Sequence, residues 1–145
     1  MSMTGPVLIA CAGFLIGVLW MDLMFDSNAD TDIAATAAYY HRATTTSQPR
    51  GALIAGAMVV LLASLGVEAF RGHSPGWLLA ASAALAGIPI LLALARTVPA
   101  AVRLGHRSDD LPEQLRLARG IRRDHRLCLV GMAAFLALWL FAGLR

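Results

Sequence analysis

Four stretches of the chain are apolar over about 20 residues, the length at which a helix crosses the ~30 Å hydrocarbon core of a bilayer. They cover residues 6–25, 51–70, 76–95 and 127–144. Asp22 is the one charge in the first and Glu68 the one charge in the second, while the third and fourth carry none. Backbone groups in lipid must be paired within their own segment, so each stretch predicts an α-helix. The pattern predicts one all-α integral membrane domain over residues 1–145, a four-helix bundle. The first stretch has neither a basic lead-in nor a small-x-small end, and so reads as a retained helix, not a signal peptide.

The polar positions fall into uneven connections. Residues 26–50 and 96–126 form two long loops, and residues 71–75 form a tight turn with Gly72 and Pro75. The third connection predicts a helix. Asp110, a Pro at 112 and Glu113 resemble a capping box, from which a helix runs on into the fourth span. About 34 residues at 1.5 Å each extend roughly 50 Å, so the fourth helix projects beyond the membrane, with Gly120 a place to bend. In the first loop, residues 31–41 predict a short interfacial helix ending in Tyr39 and Tyr40. Pro89 predicts a kink in the third helix. Gly13 and Gly17 form a GxxxG, a spacing that permits close packing of helices or of copies.

Charge then orients the molecule. All twelve basic residues are Arg. The two long loops hold ten of them, against Arg71 and Arg145 on the other side. The positive-inside rule places the long loops in the cytoplasm and both termini outside, in the inner (plasma) membrane. Composition agrees: 58% of residues are hydrophobic and 14% charged, and the mean hydropathy is +0.66. Soluble domains carry about a quarter charged residues. A soluble enzyme, a disordered tail, a disulfide scaffold and a nucleic-acid module are thereby excluded. Cys11 and Cys128 lie in apolar segments with no CxxC, and read as small buried residues.

Candidate chemistry gathers at the predicted cytoplasmic end. Asp22 and Asp26 stand at i and i+4 on one helix face. Arg96 ends the third span, and Asp124, His125 and Arg126 open the fourth. An ionisable group inside a span usually faces the protein and has a partner. Asp22 reads either as a functional acid or as an ion-pair partner of Arg96 or Arg126. His125 reads as a proton-transfer group paired with Asp22 or Asp26, or as a hydrated boundary residue. Asp22, Asp26, His41 and His125 compose a conceivable oxygen–nitrogen ligand set. Their spacing matches no metal signature, so no metal or other cofactor is assigned.

Arg116, Arg119, Arg123 and Arg126 form one helical stripe, suited to anionic lipids or to a protein partner. On the outer side Glu68, Arg71 and His73 are placed to pair locally. Trp77, Trp139 and Phe141 read as interfacial anchors, and Trp20, near Asp22, as a belt residue in preference to the wall of a cavity for an aromatic ligand.

Gly13 to Asp22, Arg96-Thr-Val-Pro99 and Arg123-Asp-His-Arg126 compose a layout that resembles the anthrone-oxygenase-like family of small four-helix membrane proteins. Ala100 and Ala101 stand where that pattern carries polar Asn residues. The resemblance implies cofactor-independent oxidation of a polycyclic phenol. His125 and Asp22 would serve as base and orienter, and Arg126 or Arg96 would stabilise an oxyanion. Read from the residues alone, the chain is first a non-catalytic membrane or accessory protein, which binds anionic lipid and a membrane-protein partner through its basic helix, with a homo-oligomer left open by the GxxxG. The oxygenase is the alternative. Four helices leave little room for a transport pathway.

Overall fold

The computed structural model describes residues 4–45 and 49–143. Leu144 and Arg145, the expected end of the fourth span and an expected outer charge, lie outside them. Seven helical elements follow one another: α1 Thr4–Asp26, α2 Ile33–Thr45, α3 Pro49–Arg71, α4 Gly76–Leu92, a π-helical turn Ala93–Thr97, α5 Val98–His106 and α6 Leu111–Gly143. Four helices are long and apolar enough to cross a membrane: Thr4–Asp26, Pro49–Arg71, the continuous rod Gly76–His106, and Leu111–Ala142.

These four share one apolar core. Leu8, Ala12 and Leu15 of α1 meet Leu61 and Leu65 of α3, Ala86 and Ile90 of α4, and Met132 and Phe135 of α6. The outward faces are apolar too, with Phe14, Val59, Leu91 and Val130 all exposed, as a lipid-facing surface requires. Trp139, read from the sequence as an interfacial anchor, faces inward among the helices. It is buried, and its Nε1 donates to Ser82 Oγ at 2.9 Å. Trp20, Trp77 and Phe141 are exposed as belt residues are. Gly13 and Gly17 face open space and make no close helix contact within the chain.

The third span overruns its predicted end at 95. Its ladder widens at Ala93–Thr97, where the Val98 N–H donates to Ala93 O five residues back. Pro99 then falls in the first turn of α5, where its missing N–H is harmless. A π turn inside a long helix often marks a functional site. Pro89, earlier in the rod, leaves the Leu85 carbonyl without its helical donor. Gly131 of α6 packs directly there, since a Cβ would stand 2.8 Å from Pro89 Cγ and 3.2 Å from Leu85 O.

Beyond the spans, α2, α5 and the first half of α6 form a cap. Ala29, Ala37, Tyr40, Ala101, Leu104, Ala118 and Ile121 make its separate small core. The predicted interfacial helix is therefore packed on other helices. Asp32 caps it, accepting from the Ala35 N–H at 2.9 Å. Gly105 lets α5 touch α2, for a Cβ would meet the His41 backbone at 2.9 Å. Asp110 caps α6 through the Glu113 N–H. Glu113 does not complete the reciprocal box, because its carboxylate takes two 2.6 Å bonds from Arg116. The α6 helix runs through Gly120 without a break, about 50 Å over 33 residues.

Candidate functional site

The seam between spans and cap holds the polar cluster. On α1, Asp22 and Asp26 are buried one turn apart. His125 of α6 brings Nδ1 to 2.6 Å from Asp26 Oδ2. Tyr40 of α2 donates its hydroxyl to the other oxygen, Oδ1. Asp26 is thus fully enclosed, with both oxygens occupied. Asp22 is served in parallel. Tyr39 donates to its Oδ1 at 2.5 Å, and Arg50 of α3 pairs with the same oxygen and with the Tyr39 hydroxyl. The Arg50 guanidinium also lies 5.4 Å from the Tyr39 ring centre, and Phe25 stacks on the ring at 4.2 Å.

Each link has a physical cause. A carboxylate in this setting needs donors on every oxygen. The adjacent Tyr39 and Tyr40, in the middle of α2, supply one donor to each acid. Burial, then the hydrogen bond to Asp22, pushes the Tyr39 hydroxyl up to about 12. Burial and the Asp26 charge push Tyr40 up as well. Both tyrosines therefore stay protonated and donate. A carboxylate accepting at Asp26 Oδ2 also fixes the His125 proton on Nδ1. In the neutral ring Nε2 is then the open acceptor.

That ring borders a cavity of about 150 Å³. All four spans line it, mostly with apolar side chains such as Leu15, Met58, Ile90 and Met132. Its polar lining is Asp22, Thr97 of the π turn, and His125. An apolar chamber with a few convergent polar groups is the usual form of a small-molecule site.

The sequence-predicted residues divide. Asp22 and His125 belong to this site. The ion-pair partner of Asp22 is Arg50, not Arg96 or Arg126, and the acid that orients His125 is Asp26, not Asp22. Arg96 is exposed and, among the described residues, approaches Asp124 at 3.8 Å. Arg126 is exposed on α6, away from the cavity lining. Asp124 is buried, and its Oδ1 has no hydrogen-bond partner among the described residues. His41 is exposed on α2, and no three His, Cys, Asp or Glu side chains converge among the described residues.

Two of the four stripe residues, Arg116 and Arg119, are tied down within the chain. Arg116 binds Glu113, while Arg119 and Arg122 each stand 3.0 Å from Asp30. Their hydrogen bonds hold the Asp30 carboxyl below its ordinary range. Arg123 is exposed, with only a 3.8 Å approach to Asp124. On the far side Glu68 is buried and accepts from Thr4 and from Ser74.

Tyr39, Tyr40, Arg50 and Thr97 are the members of the site that sequence reasoning missed. The tyrosines were legible only as a pair at a helix end. Arg50 lay hidden as a flanking charge, although one buried acid per span calls for one base nearby. Comparison with protein-family models, with curated proteins and with solved structures finds no match.

Proposed function

We propose that this four-helix membrane bundle, with its cap on the cytoplasmic side of the plasma membrane, is a small-molecule acid–base site. His125 Nε2 takes a proton from a hydroxylated apolar ligand seated in the cavity. Asp26 acts as the positioning residue, holding the ring tautomer and balancing the imidazolium. The observation that carries this reading is the 2.6 Å His125–Asp26 contact at the border of the cavity. An imidazole with a buried carboxylate behind it is a general base with a fixed direction. Asp22, paired with Arg50, lines the same cavity and offers a second acceptor to the ligand hydroxyl. Where the resulting anion is electron-rich, dioxygen is the co-reactant that the anthrone-oxygenase-like resemblance implies, and oxygen uptake that depends on His125 is its measure.

The test is a titration of the full chain in lipid nanodiscs with hydroxylated arenes, reading the His125 imidazole resonances. We expect saturable shifts of these resonances in the native chain, and loss of saturable arene binding by equilibrium dialysis in His125→Gln while the fold persists. Absent shifts in the native chain, or undiminished dialysis binding in His125→Gln, would refute the site.

A second reading keeps the protein non-catalytic, an accessory chain held to anionic lipid or to a partner. The exposed Arg123 and Arg126 favour it. With Arg116 and Arg119 engaged by the chain's own acids, the docking surface contracts to these two. The readout is recovery of the membrane complex after Arg123→Glu with Arg126→Glu, and loss of recovery would support this reading.

A further inference from the structure

The cavity narrows the ligand class. Its volume of about 150 Å³ matches the size that accommodates a benzene-like guest in other proteins. One aromatic ring fills it, and three fused rings exceed it. Its polar end presents acceptors. Asp22 and His125 line it, and with Nδ1 turned to Asp26 the ring nitrogen left for a ligand is Nε2, while the Thr97 hydroxyl donates to Leu92 O. A ligand satisfying that end must bring a donor, so a hydroxyl fits where a bare ring carbonyl does not. The cavity also has a mouth. Val98 lines it and is 50% exposed at the start of α5, across from Ile54 of α3. The surface around that mouth is apolar, with Leu53 on α3 and Leu91 and Leu94 on the third rod all exposed. The mouth thus opens sideways onto an apolar outer surface of the helices.

Resting on the acid–base reading above, we infer that the cavity binds a single-ring phenol bearing an apolar tail. The ring lies in the cavity, the hydroxyl donates to His125 Nε2, and the tail leaves past Val98 between α3 and α5 into the bilayer. The π turn shapes this site, because it carries Ala93 and Thr97 on the cavity wall immediately before the mouth.

The experiment uses the full chain in phosphatidylcholine nanodiscs with three probes: para-hexylphenol, hexylbenzene and a dihydroxyanthrone. We expect saturable binding of para-hexylphenol, tighter than hexylbenzene by about tenfold, the value of one hydrogen bond to a buried partner. The dihydroxyanthrone should not compete. Ala93→Phe fills the cavity and should abolish binding with helicity and melting unchanged. If that variant fails to fold, Val98→Trp at the exposed mouth decides, and should slow entry of the tailed phenol. Equal binding of hexylbenzene, indifference to the mouth and wall variants, or effective competition by the dihydroxyanthrone would each overturn the inference. In the last case the acid–base reading stands, provided that binding still requires His125. If no hydroxylated arene binds, both fall.

Discussion

His125 and Tyr40 share one carboxylate, the ring Nδ1 lying 2.6 Å from Asp26 Oδ2 while the phenol donates to Oδ1. The residue that sets the direction of the imidazole is thus itself held by the cap helix. Asp26→Asn tests this link. The amide places an N–H donor where one of the two acceptors stood, so either His125 Nδ1 or the Tyr40 hydroxyl loses its acceptor. We expect the protein to fold, the His125 proton to redistribute toward Nε2 in nitrogen NMR spectra, and phenol binding to fall by about tenfold or more. An unchanged tautomer with unchanged binding would refute the positioning role.

Tyr40→Phe removes a buried donor and leaves an Asp26 oxygen unsatisfied. A hydrogen bond to a charged group is worth roughly 1.5–3 kcal/mol. We expect a loss of about 2 kcal/mol in reversible unfolding from mixed micelles. Tyr39→Phe should cost less, because Asp22 retains Arg50. If the order is reversed, the deeper carboxylate is not the one that α2 secures.

The chain has two tyrosines, so an alkaline titration reads the cap directly. Tyr39 is pushed up to about 12 and Tyr40 is raised as well. A raised pKa means that the folded state holds the proton more tightly. The associated stability is complete below the ordinary phenol value of about 10 and is lost as pH rises toward 12. Tyrosinate absorbance should therefore stay flat through pH 10 and appear near pH 12 together with loss of helix. In Asp22→Asn with Asp26→Asn, it should begin earlier. Ionisation of either tyrosine near pH 10 in the native chain would contradict the buried hydrogen bonds.

How much of this was legible in the sequence follows from what each signal depends on. The four spans rest on composition over about 20 residues, so they were found to within a few positions at most ends. The third ran longer, because Pro99 reads as a terminator yet stands where a new helical turn begins after the π widening. The inward faces were not legible, since Leu8 inside and Phe14 outside are both apolar. Burial of Asp22 and its partnership with a base followed from the expense of a charge in a span. The choice of Arg50 did not follow, because it depends on how α3 packs beside α1. The role of Tyr39 and Tyr40 depends on the cap, whose small alanine-rich core has no strong periodic signature.

Two glycines test the packing that positions the site. Gly105→Ala puts a Cβ 2.9 Å from the His41 backbone, and Gly131→Ala puts one 2.8 Å from Pro89 Cγ. Overpacking typically costs about 1–3 kcal/mol. Gly17→Ala, facing open space, is the neutral control. We expect Gly105→Ala to loosen the cap and speed hydrogen exchange in α2 with the spans intact. Gly131→Ala should lower the melting temperature of the whole chain. Equal behaviour of all three would argue against these close approaches.

The last test concerns Arg50 and Asp22. Asp22 is 9% exposed, so removing Arg50 alone strands a carboxylate that only Tyr39 still serves. Breaking a buried pair from one side costs about 3–5 kcal/mol. The Arg50 side chain is 25% exposed, and solvent reaching it reduces the loss toward roughly 2 kcal/mol. Replacing both, as Arg50→Gln with Asp22→Asn, leaves two neutral amides able to bond each other and should recover much of that stability. Arg126→Gln should change neither folding nor phenol binding, because that side chain stands outside the cluster. A double variant no better than Arg50→Gln alone would mean that the guanidinium acts through Tyr39 and not through Asp22. Loss of phenol binding in Arg126→Gln would return the oxyanion role to the residue that the family resemblance first pointed to.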